Sequence, residues 1–357
     1  MGIDQKQTTD IKTELNRLLK SQAGKDHSNA CLFNLIIYTD EPKRTEYFKN
    51  VVKMIISQFP CRIILIQANL SSSVNHFQVT VTKEIGGDEG GFVCDQISIE
   101  AAGQDINRIY FLLLPLFVPD LPIYLIWGQD PTKENTILPH LQNFATRLIF
   151  DSEATEDLQM FSWDIQNRIE STSMQIVDMN WARIGGWRDV IGQIFDSPER
   201  VQQLKTAKLI KIFYNNRPSN LLLHPGTQAI YLQAWLSSRL KWQFQKAEKD
   251  NGSQVIFYEY DKSIREIHLI PKTDLNYDSE EIIEIYGEGT DYNCQIKRIE
   301  VDQVQVKTSN QYQCLLPFTL LMPTLRTGRS FMQEIFYQKI SGHYAEMLKS
   351  ISLFKWS

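Results

Sequence analysis

Two kinds of hydrophobic pattern alternate in the first part of the chain. Nearly continuous apolar runs, CLFNLIIYT from Cys31 and CRIILIQA from Cys61, are typical of buried strands. Between them, Phe48, Val51 and Ile55 recur at helical spacing. The succession of strand, helix and strand predicts a parallel, right-handed βαβ unit.

The pattern continues in the same style up to Ser152. HFQVTVTKE and QISIEA alternate apolar and polar residues, as half-exposed strands do. DINRIYFLLLPLF predicts a helix that ends at Pro115, and PIYLIWG and RLIF predict further buried strands. We therefore predict an α/β domain with a mixed sheet over residues 31–152, preceded by a leading helix and loop over residues 1–30.

The second half of the chain combines helices with alternating strands. Residues 153–204 carry apolar residues at helical spacing and predict a helical connector. From 205 to 357, a strand and a helix precede several alternating segments, among them VIFYEY, REIHLI and EIIEIYG, and a final helix. This order predicts an α+β domain with a mainly antiparallel sheet. The polar segment KAEKDNGS is predicted to be a hairpin connection.

Composition narrows the classes of function. The 357 residues are 43% hydrophobic and carry a net charge of −5 without a basic stripe, so we expect no nucleic-acid partner. No apolar run reaches the ~18–20 residues of a membrane span, and the N-terminus lacks the apolar region of a signal peptide. We therefore expect a cytoplasmic protein with no membrane partner.

The five cysteines form no CxxC motif. An odd number of thiols in a cytoplasmic chain is typical of buried free cysteines. The alternative is a redox pair of Cys31 and Cys61, since each opens an apolar strand-like run and the two could lie at the same edge of neighbouring strands. Spacing alone does not bring two thiols within bonding range.

Motifs that carry chemistry are missing from the sequence. It contains no GxxxxGK[ST], HExxH or GxSxG, and the glycine cluster IGGDEGG lacks dinucleotide-binding spacing and lies between two predicted strands. The six histidines are scattered, and the acidic segments DSEATED and DSEE are predicted to be solvated. We predict no catalytic residue, no cofactor and no metal site.

One segment, VDMNWARIGGWRDVIGQIFD, concentrates large polar and aromatic side chains. It contains Asn180, Trp181, Arg183, Trp187 and Arg188. In one interpretation, the two tryptophans fill the junction between the domains and the arginines stack on their rings. In the other, part of the cluster faces outward as a binding hot spot. The helical stripe favours burial of Trp187, so Trp181 and Arg183, in an irregular lead-in, are the better candidates for contact.

The segment VPDLPIYLIWGQDP has the same ambiguity. Its prolines predict a rigid loop, strand and loop around Trp127. Asp120 could cap the turn locally or reach a partner.

Three segments, in order, resemble a known family. ISIEAAGQDINRIYFLLLPLFVPDLPIYLIWGQDP (97–131), DMNWARIGGWRDVIGQIFD (178–196) and AIYLQAWLSSRLKW (229–242) resemble OpcA-type glucose-6-phosphate dehydrogenase assembly proteins. Gly185-Gly186 stands where the family typically has a hydroxyl residue and proline, and Ile126-Trp127 where a Trp-Trp pair is common. The first difference removes a helix cap and predicts a looser loop.

The resemblance implies that the protein is not the dehydrogenase but binds it, promotes its active assembly and activates it allosterically. The partner-binding residues that we predict are Asp120, Trp127, Asn180, Trp181, Arg183, Trp187 and Arg188. The alternative is an enzyme or sensor of sugar phosphates with a site in a cleft between the domains. In that case Arg183, Arg188 and His224 would bind the anion.

Overall fold

The chain forms two compact units, one of residues 1–151 with 173–177 and the other of residues 152–172 with 178–357. The computed structural model describes residues 13, 30–86, 91–133, 135–217, 226–250, 252–278, 281–322, 335–336 and 341–354. Outside these residues lie the predicted leading helix apart from Thr13, the centre of the glycine cluster, His224 and much of the predicted final helix.

The first unit contains a mixed sheet, as predicted. Its strands are β1 (Asn34–Thr39), β2 (Arg62–Asn69), β3 (His76–Gly86), β4 (Phe92–Ala102), β5 (Ile123–Trp127), β6 (Arg147–Phe150) and β7 (Gln175–Asp178). They lie in the order β3-β4-β2-β1-β5-β6-β7. The β3–β4 pair is antiparallel, whereas β4–β2, β2–β1, β1–β5 and β5–β6 are parallel. The predicted βαβ unit is therefore confirmed.

Among the described residues, three short or medium helices accompany this sheet. They are α1 (Pro42–Ile56), α2 (Ile109–Leu113) and α3 (Leu138–Gln142). The predicted apolar stripe of α1 is buried, including Phe48, Val51 and Ile55. The helix predicted to end at Pro115 is shorter than expected, because 3₁₀ turns flank α2 at Gly103–Arg108 and Leu114–Leu116. Pro115 has no N–H to continue α-helical bonding.

The second unit combines helices with a mainly antiparallel sheet, as predicted. Its helices are α4 (Leu158–Ser171), α5 (Met179–Arg183), α6 (Gly185–Ile194), α7 (Pro198–Lys205), α8 (Thr227–Leu240) and α9 (Gly342–Ile351). Its strands are β8 (Leu209–Asn215), β9 (Gln243–Asp250), β10 (Ser253–Tyr260), β11 (Ser263–Lys272), β12 (Ile282–Glu288), β13 (Asn293–Glu300), β14 (Gln303–Ser309) and β15 (Phe318–Leu321). The order is β15-β14-β13-β12-β8-β11-β10-β9, and the β8–β11 pair is parallel.

The polar segment KAEKDNGS contains the connection of the β9–β10 hairpin, as predicted, but the hairpin strands extend into it further than expected. Lys246, Ala247 and Glu248 belong to β9 and pair antiparallel with β10. Because β9 lies at the edge of the sheet, its charged side chains reach water while its backbone pairs on one side. Because these edge-strand residues are charged, the composition of the segment did not indicate a strand.

Helix α8 is buried on nearly every side. The predicted inward residues Ala229, Leu232, Leu236 and Leu240 are buried, and so is the polar Gln233. The helix contacts α5, α9 and the strands β8 and β11. Within the part of the chain that the structure describes, no helix has the length and apolar character needed to cross a membrane.

Candidate functional site

Asp178 organises a buried polar cluster in the second unit. Its Oδ1 accepts the backbone N–H of Asn180 at 2.6 Å, so the carboxylate caps α5. It also accepts the Ser152 hydroxyl at 3.1 Å and, through Oδ2, the Tyr231 hydroxyl at 2.9 Å. All four residues are fully buried. Three donors on one carboxylate offset the cost of taking this group out of water.

The side chain of Asn180 extends this cluster. Its Nδ2 donates to Ser152 Oγ at 2.9 Å and to Glu153 Oε1, and its Oδ1 accepts from Arg183 Nη1 at 2.8 Å. Both ends of the amide are therefore used inside the protein. Asn180 positions Arg183 and is itself fully buried.

Two buried tyrosines adjoin the cluster. Burial, and after it the charge of Asp178, raises the pKa of Tyr231 and of Tyr344 well above the usual value. Both phenols therefore stay protonated across the physiological range. In this form Tyr231 is a permanent hydrogen-bond donor to Asp178.

Arg188 stacks on Trp181, which confirms one of the two predicted cation–π contacts. The guanidinium carbon lies 3.6 Å from the ring centroid, and Nη2 donates to the Trp181 carbonyl at 3.2 Å. The Trp181 ring also lies 5.5 Å from the ring of Tyr344. Such stacking fixes the direction of a long cationic side chain and contributes about 0.5–2 kcal/mol.

The seven predicted partner-binding residues differ in exposure. Four are buried, and three reach the surface to different degrees. The buried ones are Trp127, Asn180, Trp181 and Trp187; Arg183 and Arg188 are half-buried, and Asp120 is exposed. Trp181 lies in α5 and not in irregular chain, because Asp178 caps that short helix. Partner binding by these residues stays a prediction, and Arg183, Arg188 and Asp120 are the ones with accessible surface.

The start of the acidic segment DSEATED is buried, against our prediction that it is solvated. Asp151 and Glu153 are at most 1% exposed. Asp151 pairs with Arg44 of α1 at 2.6 Å, and Glu153 accepts from Asn180. Only the later part behaves as predicted, since the exposed Asp157 caps α4.

The proline-containing loop before β5 is held by a buried side chain that the sequence analysis did not single out. Asn34 Nδ2 donates to the Val118 carbonyl at 3.0 Å, and Asn34 Oδ1 accepts the Val118 N–H at 2.7 Å. Asp120 follows in a left-handed conformation with φ of 64°. Trp127 stacks on Tyr38 with centroids 4.3 Å apart, so it supports the sheet.

A cleft of about 520 Å³ opens where β1, β2 and β4 end in the first unit. Its lining includes Asp40, Glu41, Gln67, His76 and Glu100. Burial, and then the charge of Glu41, raises the pKa of Asp40 to about 6. In the described residues, no group of three or more His, Cys, Asp or Glu side chains has the arrangement needed to hold a metal ion.

Family comparison covers both units. The glucose-6-phosphate dehydrogenase subunit N-terminal domain matches residues 52–167, and the corresponding C-terminal domain matches residues 174–317. The chain belongs to the OpcA family of glucose-6-phosphate dehydrogenase assembly proteins. The resemblance inferred from three segments is therefore confirmed.

Relatives in cyanobacteria carry the name OpcA and are described in terms of the OxPP cycle. The protein of Synechococcus elongatus is 27% identical over 57% of this chain and 44% of its own length. That of Nostoc punctiforme is 26% identical over 52% of this chain and 37% of its own length. The match thus spans less than half of each relative.

Solved structures with a similar fold are distant in sequence. A protein described as an oxidoreductase from Magnetospirillum magnetotacticum superposes with a TM-score of 0.50 at 10% identity, over 91% of this chain and all of the other. The 3-ketoreductase KijD10 from Actinomadura kijaniata gives a TM-score of 0.49 at 8% identity, over 92% of this chain and all of the other. The first of these shows a shared fold and no more.

Proposed function

We propose that this protein binds glucose-6-phosphate dehydrogenase in the cytoplasm, promotes its active assembly and activates it, without a reaction of its own. The observation that carries the proposal is the family match across both units. The mechanism is differential affinity: a partner that binds the active form more tightly shifts the population towards it by no more than that affinity difference.

The turn between β1 and α1 supports a role without a dinucleotide. In doubly wound folds, the first strand-to-helix turn is glycine-rich and holds a diphosphate at the helix N-terminus. Here that turn carries Asp40 and Glu41, followed by Pro42, which lacks an N–H. Two carboxylates repel a diphosphate, and the proline removes one of the donors that would bind it.

The polar cluster supports a contact surface on α5 and α6. Asn180 holds Arg183, and the ring of Trp181 holds Arg188, so both half-buried guanidinium groups are oriented before any partner arrives. Preorganised arginines lose less conformational entropy on binding and are frequent in hot spots. In this proposal the tryptophans support the contact surface, and the arginines touch the dehydrogenase.

Co-elution and enzyme kinetics test the proposal. The purified chain is mixed with the dehydrogenase at low sugar phosphate, and we expect a complex in gel filtration and a higher kcat/KM. Arg183→Ala should weaken the complex at least tenfold, whereas Arg200→Ala, which removes an exposed arginine of α7, should not. If the wild type neither co-elutes nor changes the kinetics, the proposal fails.

A thermal-shift experiment separates this proposal from the alternative of a sugar-phosphate enzyme or sensor. The chain is heated with glucose 6-phosphate in the absence of the dehydrogenase. A ligand that binds the native state alone raises the melting temperature. We expect no shift, and a saturable stabilisation would favour the alternative.

A further inference from the structure

Cys61 and Cys94 lie opposite each other near the amino-terminal ends of two neighbouring strands in the first unit. Cys61 immediately precedes β2, and Cys94 is near the start of β4. These strands pair in parallel with Ile63 opposite Gln96, so counting back two positions sets Cys61 opposite Cys94. Neighbouring strands are ~4.7–4.9 Å apart, within the ~4.4–6.8 Å between Cα atoms that a disulfide bridges.

The sulfur of Cys94 is hydrogen-bonded to Cys61. The backbone N–H of Cys61 donates to Cys94 Sγ at 3.4 Å, and the Cys94 thiol lies 3.8 Å from the Phe59 carbonyl. Hydrogen bonding between the two residues favours the charged form of Cys94, so it lowers the pKa of Cys94 and raises that of Cys61. The pair thus has a sulfur disposed to be the thiolate and a second one that keeps its proton.

The other thiols of the described residues are placed differently. The half-buried Cys31 donates to the Phe33 carbonyl at 3.4 Å, and burial raises its pKa. Cys294 is buried in the second unit, and Cys314 is exposed there. The hydrogen bond therefore links Cys61 to Cys94, whereas the pair considered from the sequence was Cys61 with Cys31.

We propose that Cys94 and Cys61 form a peroxide-reactive pair that closes into a disulfide between the starts of β4 and β2. The Cys94 thiolate attacks one oxygen of hydrogen peroxide; an S–O bond forms, the O–O bond breaks, and the departing hydroxide takes a proton to become water. The thiol of Cys61 then attacks the sulfur of the sulfenic acid: the S–S bond forms, the S–O bond breaks, and the departing hydroxide takes the Cys61 proton and leaves as a second water. Two thiols are oxidised and one peroxide is reduced.

The small, uncharged oxidant fits the burial of the site. Cys61 and Cys94 are each 1% exposed, which excludes a bulky disulfide from direct attack, whereas peroxide is little larger than water. Arg62, next to Cys61, pairs with Asp95, next to Cys94, at 2.7 Å. The inference is independent of the proposed function, since it concerns the chemistry of the isolated chain.

Peptide mapping of the full chain tests the proposal. The protein is treated with graded hydrogen peroxide, its remaining thiols are alkylated under denaturing conditions, and the digest is analysed by mass spectrometry without reduction. We expect a Cys61–Cys94 cross-linked peptide at peroxide doses that leave Cys31 alkylatable. In Cys61→Ser, the disulfide is lost, and Cys94 is trapped as a sulfenic acid by dimedone that is added together with the denaturant.

Matched variants exclude other thiols. Cys31→Ser and Cys314→Ser should form the Cys61–Cys94 disulfide at the wild-type rate, while Cys94→Ser should lose both the disulfide and the dimedone adduct. The mapping of the wild type does not depend on the folding of any variant. A disulfide that includes Cys31, or a Cys61–Cys94 pair that stays reduced at doses that oxidise the exposed Cys314, would overturn the proposal.

Discussion

Two aspartates, one in each unit, show how the surroundings of a carboxylate decide its behaviour. Asp178 is fully buried but accepts hydrogen bonds from the Asn180 backbone, Ser152 and Tyr231. Asp40 is only half-buried, and the charge of Glu41 adjoins it. Asp178 is more buried than Asp40, and more hydrogen-bond donors surround its carboxylate.

Asp178 therefore stabilises the fold, whereas the protonation of Asp40 depends on pH. At Asp178 the donors hold α5 and α8 to one geometry within the second unit, so the group fixes structure. At Asp40 the hydrogen bond from Gln129 and the charge of Lys133 compensate less than burial and Glu41 cost. A carboxylate in the position of Asp40 therefore titrates within the physiological range.

Removal of the Asp178 carboxylate should give the largest loss of stability. Asp178→Ala leaves three buried donors without their acceptor and removes the cap of α5, so we expect the free energy of unfolding to fall by about 3–5 kcal/mol. Urea unfolding measures the change. Asp157→Ala is the control, because Asp157 caps α4 through an exposed side chain, and its loss should cost about 1 kcal/mol. Equal losses would show that burial adds nothing.

A substitution of the half-buried Arg188 tests its stacking on Trp181. Arg188→Lys keeps the charge but loses the planar stacking on Trp181 and the fork that reaches the Trp181 carbonyl. We expect the free energy of unfolding in urea to fall by about 1–2 kcal/mol. We also expect weaker binding of the dehydrogenase in gel filtration. Weaker binding without a stability change would mean that Arg188 touches the partner but does not stack in the free protein.

The pH dependence of stability tests the prediction for Asp40. Its folded pKa of about 6 lies above the ordinary value of 3.8, so its contribution to stability is fully present below about pH 4 and is lost as pH rises through 6. Asp40→Asn should therefore be more stable than the wild type at pH 8, by about 1 kcal/mol after solvent screening, and equal to it at pH 4. A gain of the same size at both pH values would contradict the assignment.

The sequence could predict the parts of the fold in which local pattern and tertiary packing agree. The unbroken apolar runs of β1 and β2 are buried strands because helices and strands surround them. Stretches such as VIFYEY alternate because one side of the sheet is covered and the other reaches water. Here the periodicity itself reports the burial.

Sequence alone could not predict the polar cluster, because its partners are distant along the chain. Glu153 looks like a solvated acid until Asn180, 27 residues later, donates to it. Cys61 and Cys94 are 33 residues apart, and only the parallel register of their strands brings them together. The clustering of tryptophan and arginine did mark the region, but which groups are buried depends on the tertiary fold.

Asp120, an exposed acid in a turn, completes the comparison. Its substitution should have the smallest effect on stability. Its φ of 64° suits glycine, so Asp120→Gly should change stability by less than about 0.5 kcal/mol, whereas Asp120→Ala should cost about 1 kcal/mol in the same left-handed conformation. Dehydrogenase binding then separates two roles. If Asp120 contacts the partner, both variants weaken binding equally although their stabilities differ; if it only shapes the turn, binding by Asp120→Gly matches the wild type.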